Sequence, residues 1–91
     1  MNPLKEITTQ TVAVGATSAA TASPFGTLTT VIRVVSTTNC HIKIGADPTA
    51  DDEDMFLPAN VVEYFAVAPS LELAAIRSEA DGVLYVTEMT R

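Results

Sequence analysis

The feature that most narrows the folds open to this chain is the grouping of its β-branched residues into short runs of Val, Ile and Thr. Each run is closed by Gly, Pro, Asn or Asp. Such side chains suit a pleated surface, and punctuation at this spacing marks many short strands. No segment sustains a helical apolar repeat. The pattern predicts strands over 28–37, 40–45, 61–67, 71–77 and 83–89, a weaker one over 7–14 and a marginal one around 18–23. Strands joined by short turns without intervening helices point to an all-β fold. The expected architecture is a small antiparallel β-sandwich, jelly-roll-like, with an extended N-terminal arm.

Alternation along the strands assigns faces. In 40–45, Cys40, Ile42 and Ile44 are expected inward and His41 and Lys43 outward. In 27–37, Leu28, Thr30, Ile32 and Val34 share one face, while Thr29, Val31, Arg33 and Val35 share the other. Both faces carry β-branched residues, which suits a central strand whose second face is partly covered by a neighbouring subunit. In 61–67 the charge on Glu63 favours the Val62/Tyr64 face as core, although Phe65 and Val67 also want cover. In the last strand, Leu84 and Val86 oppose Val83, Tyr85 and Thr87. Thr37-Thr38-Asn39, Ala68-Pro69-Ser70 and Ser78-Glu79-Ala80-Asp81-Gly82 read as turns between successive strands, the first and third as hairpins. Asn39 and Gly82 are suited there to positive φ.

The chain has 91 residues, enough for one core and too few for two. That core is thin, because aromatic bulk is limited to two Tyr and three Phe. A single cysteine excludes an internal disulfide, so oligomerisation is the expected supplement. Residues 13–23 form an Ala/Thr/Ser/Gly tract with no large side chain. Residues 1–23 are therefore expected as an arm, either flexible or laid as a strand against a neighbour, with residues 24–91 forming the sandwich domain.

Net charge is −6, with five scattered bases. There is no basic stripe of the kind that phosphate neutralisation requires, so direct nucleic-acid binding is not expected. Neither a signal-like leader nor an apolar run of membrane-spanning length is present in this sequence, and no membrane partner is expected.

Candidate chemistry is sparse. The segment 47–54 holds Asp47, Asp51, Asp52, Glu53 and Asp54, but without the alternate-position ligands, central Gly and terminal Glu of a calcium loop. It is expected as a solvated, outward loop. Cys40 and His41 fall short of a zinc ligand set and, as neighbours on a strand, point to opposite faces. A buried inert thiol is the expectation for Cys40. The one His leaves a Ser–His–Asp triad unsupported, and Glu63, Glu72, Glu79 and Glu88 come without the cleft a glycosidase needs. No enzymatic activity, metal or cofactor is expected. Met55-Phe56-Leu57-Pro58 places large apolar side chains near a loop rim, either as a plug for one end of the sandwich or as a contact patch.

Four segments together carry a resemblance: Ile32-Arg33-Val34-Val35-Ser36, His41-Ile42-Lys43-Ile44-Gly45, Phe56-Leu57-Pro58-Ala59-Asn60-Val61-Val62-Glu63-Tyr64-Phe65 and Leu84-Tyr85-Val86-Thr87-Glu88-Met89. They resemble small virion structural proteins of tailed bacteriophages over roughly residues 30–90, through short motifs that are β-generic. The resemblance implies a capsid decoration (cement) protein or a minor head or neck component. Such a protein is made in the bacterial cytoplasm and placed on the capsid surface as a homo-oligomer, a trimer among the options, against the major capsid protein. The interface residues expected on this basis are Val12, Val14, Val31, Val35, Met55, Phe56, Phe65 and Val67. The alternative is a receptor- or carbohydrate-binding sandwich module of a tail fibre, neck or tail component, using Asp51, Asp52 and Asp54.

Overall fold

The computed structural model describes residues 4–90. Within them the fold is all-β, with eight strands: β1 (Lys5–Val14), β2 (Ala19–Ala20), β3 (Val31–Ser36), β4 (Cys40–Gly45), β5 (Met55–Leu57), β6 (Glu63–Ala66), β7 (Glu72–Arg77) and β8 (Gly82–Thr90). They form two four-stranded sheets, ordered β1-β8-β3-β6 and β2-β7-β4-β5. Every ladder is antiparallel. For brevity these are the first and second sheets.

The sheets face each other across one apolar layer. Val12, Val14, Ile32, Val34, Leu84 and Val86 enter from the first sheet, and Cys40, Ile42, Leu57, Leu73 and Ala75 from the second. Strand alternation produces this layer directly, since residues i and i+2 share a face. The inward assignments of Cys40 and Ile42 agree with the pattern, and the face shared by Ile32 and Val34 and that shared by Leu84 and Val86 are the inward ones. Phe25, outside any strand, joins the same cluster. Its backbone is held by Phe25 N–H to Leu71 O at 2.8 Å and by Ser70 N–H to Phe25 O at 2.9 Å, so it closes one end of the layer.

Three readings of the chain change. The links at 37–39, 67–71 and 78–81 join strands in different sheets, so none closes a hairpin. Only β4 and β5, among successive described strands, are paired with one another. Accordingly, Asn39 is absent from the positive-φ positions, which are Asp47, Asn60 and Ser70, and no glycine is there either. Asn39 instead accepts the Ala59 N–H on Oδ1 at 2.8 Å. Gly82 is needed for space. A Cβ there would lie 2.6 Å from both Thr37 Oγ1 and Thr38 Cγ2, closer than packed atoms tolerate.

The second change concerns β6. Its register sets Phe65 opposite Ile32, so Phe65 packs against the core while Tyr64 is exposed. Glu63 does share the inward parity, but β6 is an edge strand and Glu63 itself is exposed. The third change concerns the expected arm. Residues 5–14 pair along β8 of the same chain from Lys5↔Thr90 to Val14↔Gly82, with a register shift between Glu6 and Thr8. Ala19–Ala20 pairs with β7. Within 1–23, residues 1–3 lie outside the described part; most of the rest belongs to the chain's own sheets.

Candidate interaction surface

The outer faces of the two sheets are built differently. On the second sheet, the outward row crosses β7 at Ala74, opposite Ala20 on β2 and Lys43 on β4. Ala74 points away from the core and yet is 0% exposed. The cover comes from the β4–β5 connection. Its Ala50 is buried and donates its N–H to Ser18 Oγ at 2.8 Å. Ser18 adjoins β2, on the far side of β7 from β4, so the loop must cross β7 to reach it.

The acidic residues hold this loop in shape. Asp54 Oδ2 accepts the Asp51 N–H at 2.8 Å, and Asp51 Oδ1 accepts the Glu53 N–H at 2.9 Å. These are side-chain turns of the kind Asp favours. Asp54 O lies 3.1 Å from His41 Nδ1, pinning the loop to β4. The loop lies along the sheet instead of standing away from it, with the carboxylates of Asp51 and Asp54 serving its own backbone, while Asp47, Asp51, Asp52 and Glu53 stay exposed, as expected of a solvated loop. Among the described residues, no group of three or more His, Cys, Asp or Glu is arranged to hold a metal ion.

The first sheet's outer face has no such roof. Register places Arg33 between Thr87 and Tyr64, Val35 beside Tyr85, and Thr87 beside Thr9. Tyr64 is 53% exposed and Tyr85 43%, and Val62, two residues before Tyr64, is also exposed. Thr9 and Thr87 hydroxyls bond at 3.0 Å across β1 and β8, and the Thr9 hydroxyl donates to Glu6 Oε2 at 3.2 Å. The result is a pleated surface of Tyr, Val and Thr that carries one cation, Arg33, and one anion, Glu6, among the described residues of these strands. The alternation made it visible in sequence only as the ambiguous second apolar face of the 27–37 run.

The expected interface residues separate on this frame. Val12 and Val14 are in the inter-sheet core, because their parity on β1 matches Leu84 and Gly82 on the inward side. They are unavailable to a partner. Phe65 and Val67 pack against the same core. Val31 is on the outer face of the first sheet but buried; Val35, four residues on, is half-buried there. Leu57 enters the core while Met55 and Phe56 remain exposed, so the apolar trio is divided between plug and patch. The Phe56 ring stands 5.4 Å from that of His41, tilted by 60°. Cys40 is fully buried. Burial pushes its thiol above the ordinary cysteine value, and a hydrogen bond with Ser36 pulls it partly back.

One residue with a distinct environment was indistinguishable from other acids in the sequence. Glu88 is buried and accepts three donors: Thr29 Oγ1 at 2.7 Å and Gly26 N–H at 2.9 Å on Oε1, and Gln10 Nε2 at 3.1 Å on Oε2. Gln10 is held by Ser23, which accepts from Nε2 through its carbonyl and donates its N–H to Oε1, both at 3.0 Å. The carboxylate therefore ties β1 and the β2–β3 loop to β8, and this loop carries Phe25.

Comparison with protein-family models, curated proteins and solved structures finds no match.

Proposed function

We propose that this chain is a non-enzymatic virion structural protein of a tailed bacteriophage, a capsid decoration protein that works through its sheet surface as a homo-oligomer against capsid subunits. The observation that carries the reading is the contrast between outer faces. One is crossed by the chain's own loop, which buries Ala74, and the other presents Tyr64, Tyr85 and Val62 exposed and Val35 half-buried around Arg33. Contiguous exposed apolar surface of this kind marks contact with other macromolecules, and tyrosine is favoured at interfaces for its apolar ring and polar tip. The order β1-β8-β3-β6 against β2-β7-β4-β5 supports reading the sandwich as a jelly roll, an architecture shared by viral capsid proteins and lectins. Architecture does not dictate function, so the reading rests on the surface and on the resemblance of the four segments quoted above.

Quantitative mass spectrometry of purified virions encoded by the same genome tests it. A decoration protein is present in numbers proportional to the major capsid protein. A fixed handful of copies moves it to the neck or tail, and absence from particles rejects the proposal.

The tail-fibre or neck alternative, a carbohydrate-binding module, gains from one observation: Tyr64, Tyr85 and Phe56 are all exposed, and sugar sites use such rings beside polar groups. A glycan array separates the two, because a decoration protein gives no selective binding there.

A further inference from the structure

We propose that the outer face of the first sheet is a two-fold contact with a second copy of this chain, in which Arg33 of each protomer pairs with Glu6 of the other. The inference deepens the reading of that face as a contact surface, and it rests on that reading. Charge selects the occupant. The chain carries −6 overall, so copies repel one another except where the surface is locally balanced. The second sheet is roofed by the loop holding Asp47, Asp51, Asp52, Glu53 and Asp54, whereas the outer residues of the first sheet balance one cation with one anion.

Their positions suit a two-fold. Arg33 and Thr9 flank Thr87 on its two sides, on β3 and β1. A rotation axis lying in the contact plane along β8 exchanges β1 and β3 between copies. It carries Arg33 over Thr9 of the other copy, and the Thr9 hydroxyl already contacts Glu6 Oε2. Isologous contact requires this reciprocity, each pair occurring twice. Tyr85 on β8 falls beside the axis and meets its own counterpart. About this axis β6 falls outside β1 of the other copy, so the overlap is β8 on β8 and β3 on β1, strands of 9 and 6 residues with the latter counted twice; at about 3.4 Å per residue and about 4.8 Å between strands it is roughly 350 Å² in plan. Two such faces reach about 700 Å², below the size of stable specific interfaces, so the contact is weak and concentration-dependent.

Sedimentation velocity over a range of concentrations, on the full chain, tests this with Arg33→Glu, Glu6→Arg and the double swap Arg33→Glu/Glu6→Arg. Circular dichroism confirms that each variant is folded. The expected result is a reversible dimer whose dissociation constant rises at least tenfold in either single variant, where like charges are apposed, and returns towards the starting value in the double swap. A monomer at every concentration, a trimer, or a dimer indifferent to Arg33→Glu overturns the proposal. So does loss of virion binding in Arg33→Glu without any change in self-association, which would give the face to a capsid subunit. The virion copy number is measured separately, so a monomer abundant on particles rejects the two-fold contact while leaving the decoration reading in place.

Discussion

The two sheets share a core but solve the problem of a second apolar face in opposite ways. The second sheet keeps a small residue, Ala74, at the middle of its outer side and lays its own β4–β5 loop across it. The first keeps large ones, Tyr64 and Tyr85, and leaves them in solvent. A roof needs alanine, because a backbone can approach only where side chains are short. A contact face needs rings, because they supply buried area at little conformational cost. What distinguishes the faces is therefore side-chain size along one row, with strand number and ladder type the same in both.

The sharpest way to break this comparison is to enlarge the same kind of position on each face. Ala74→Leu forces a large side chain beneath the roof and is expected to lower unfolding stability by about 2–3 kcal/mol, as overpacking does. Thr87→Leu, central on the bare face, is expected to change it by no more than about 0.5 kcal/mol, the usual range for surface substitutions. Urea denaturation of both variants checks the pair, and equal losses would mean that the first sheet is also roofed.

A smaller effect is expected inside the first sheet. Glu88→Gln presents an amide N–H₂ either to Gln10 Nε2, whose orientation Ser23 holds, or to the Thr29 hydroxyl and Gly26 N–H. One donor pair is set against another, costing about 2 kcal/mol, in the range for hydrogen bonds to a charged group. The same denaturation experiment measures it. Faster amide exchange across 23–29 in this variant would locate the loss in the β2–β3 loop.

Ser18→Ala removes the acceptor of the Ala50 N–H and is expected to cost about 1 kcal/mol. Amide exchange should rise in the 46–54 loop while the first sheet is unchanged. The smallest stability effect belongs to Tyr64→Ser with Tyr85→Ser, expected within about 0.5 kcal/mol for each exposed site. Sedimentation velocity on that double variant should nevertheless show association lost. A large fall in melting temperature instead would assign these rings to the protomer's own packing.

Which parts of this were readable beforehand follows from what alternation can and cannot encode. The strand Cys40–Gly45 is legible because apolar and polar residues alternate cleanly there; β3 and β8 carry apolar residues on both faces, so alternation yields which residues share a face and not which face is inward. Partnering is not legible. A three-residue link such as Thr37-Thr38-Asn39 looks the same whether it turns back within a sheet or steps to the opposite one. The charge on Glu63 assigns Tyr64 inward from sequence, yet an edge strand lets an inward-parity carboxylate remain exposed. β5 is too short, and too close to Pro58, to register as a strand. Ala74 carries no signal within the 71–77 run, since the loop that covers it and the Ser18 that anchors that loop are distant from it in sequence. Glu88 had no signal at all: its donors come from Gln10, Gly26 and Thr29, far away along the chain.

The pairing of β1 with β8 bears on how the chain acquires its structure. The central β8 lies between β1 and β3, so β1 leaves the ribosome well ahead of β8, its ladder partner among the described residues. Among successive strands, the β4–β5 hairpin is the one local ladder on which structure can begin. Folding should thus be slow, in the millisecond-to-second range of β proteins dominated by non-local pairing. Until β8 arrives, β1 and β3 present unpaired strand edges, the hazard that leads sheet proteins to aggregate. Yield on overexpression should therefore respond to temperature and chaperone supply more than to any single contact in the finished fold.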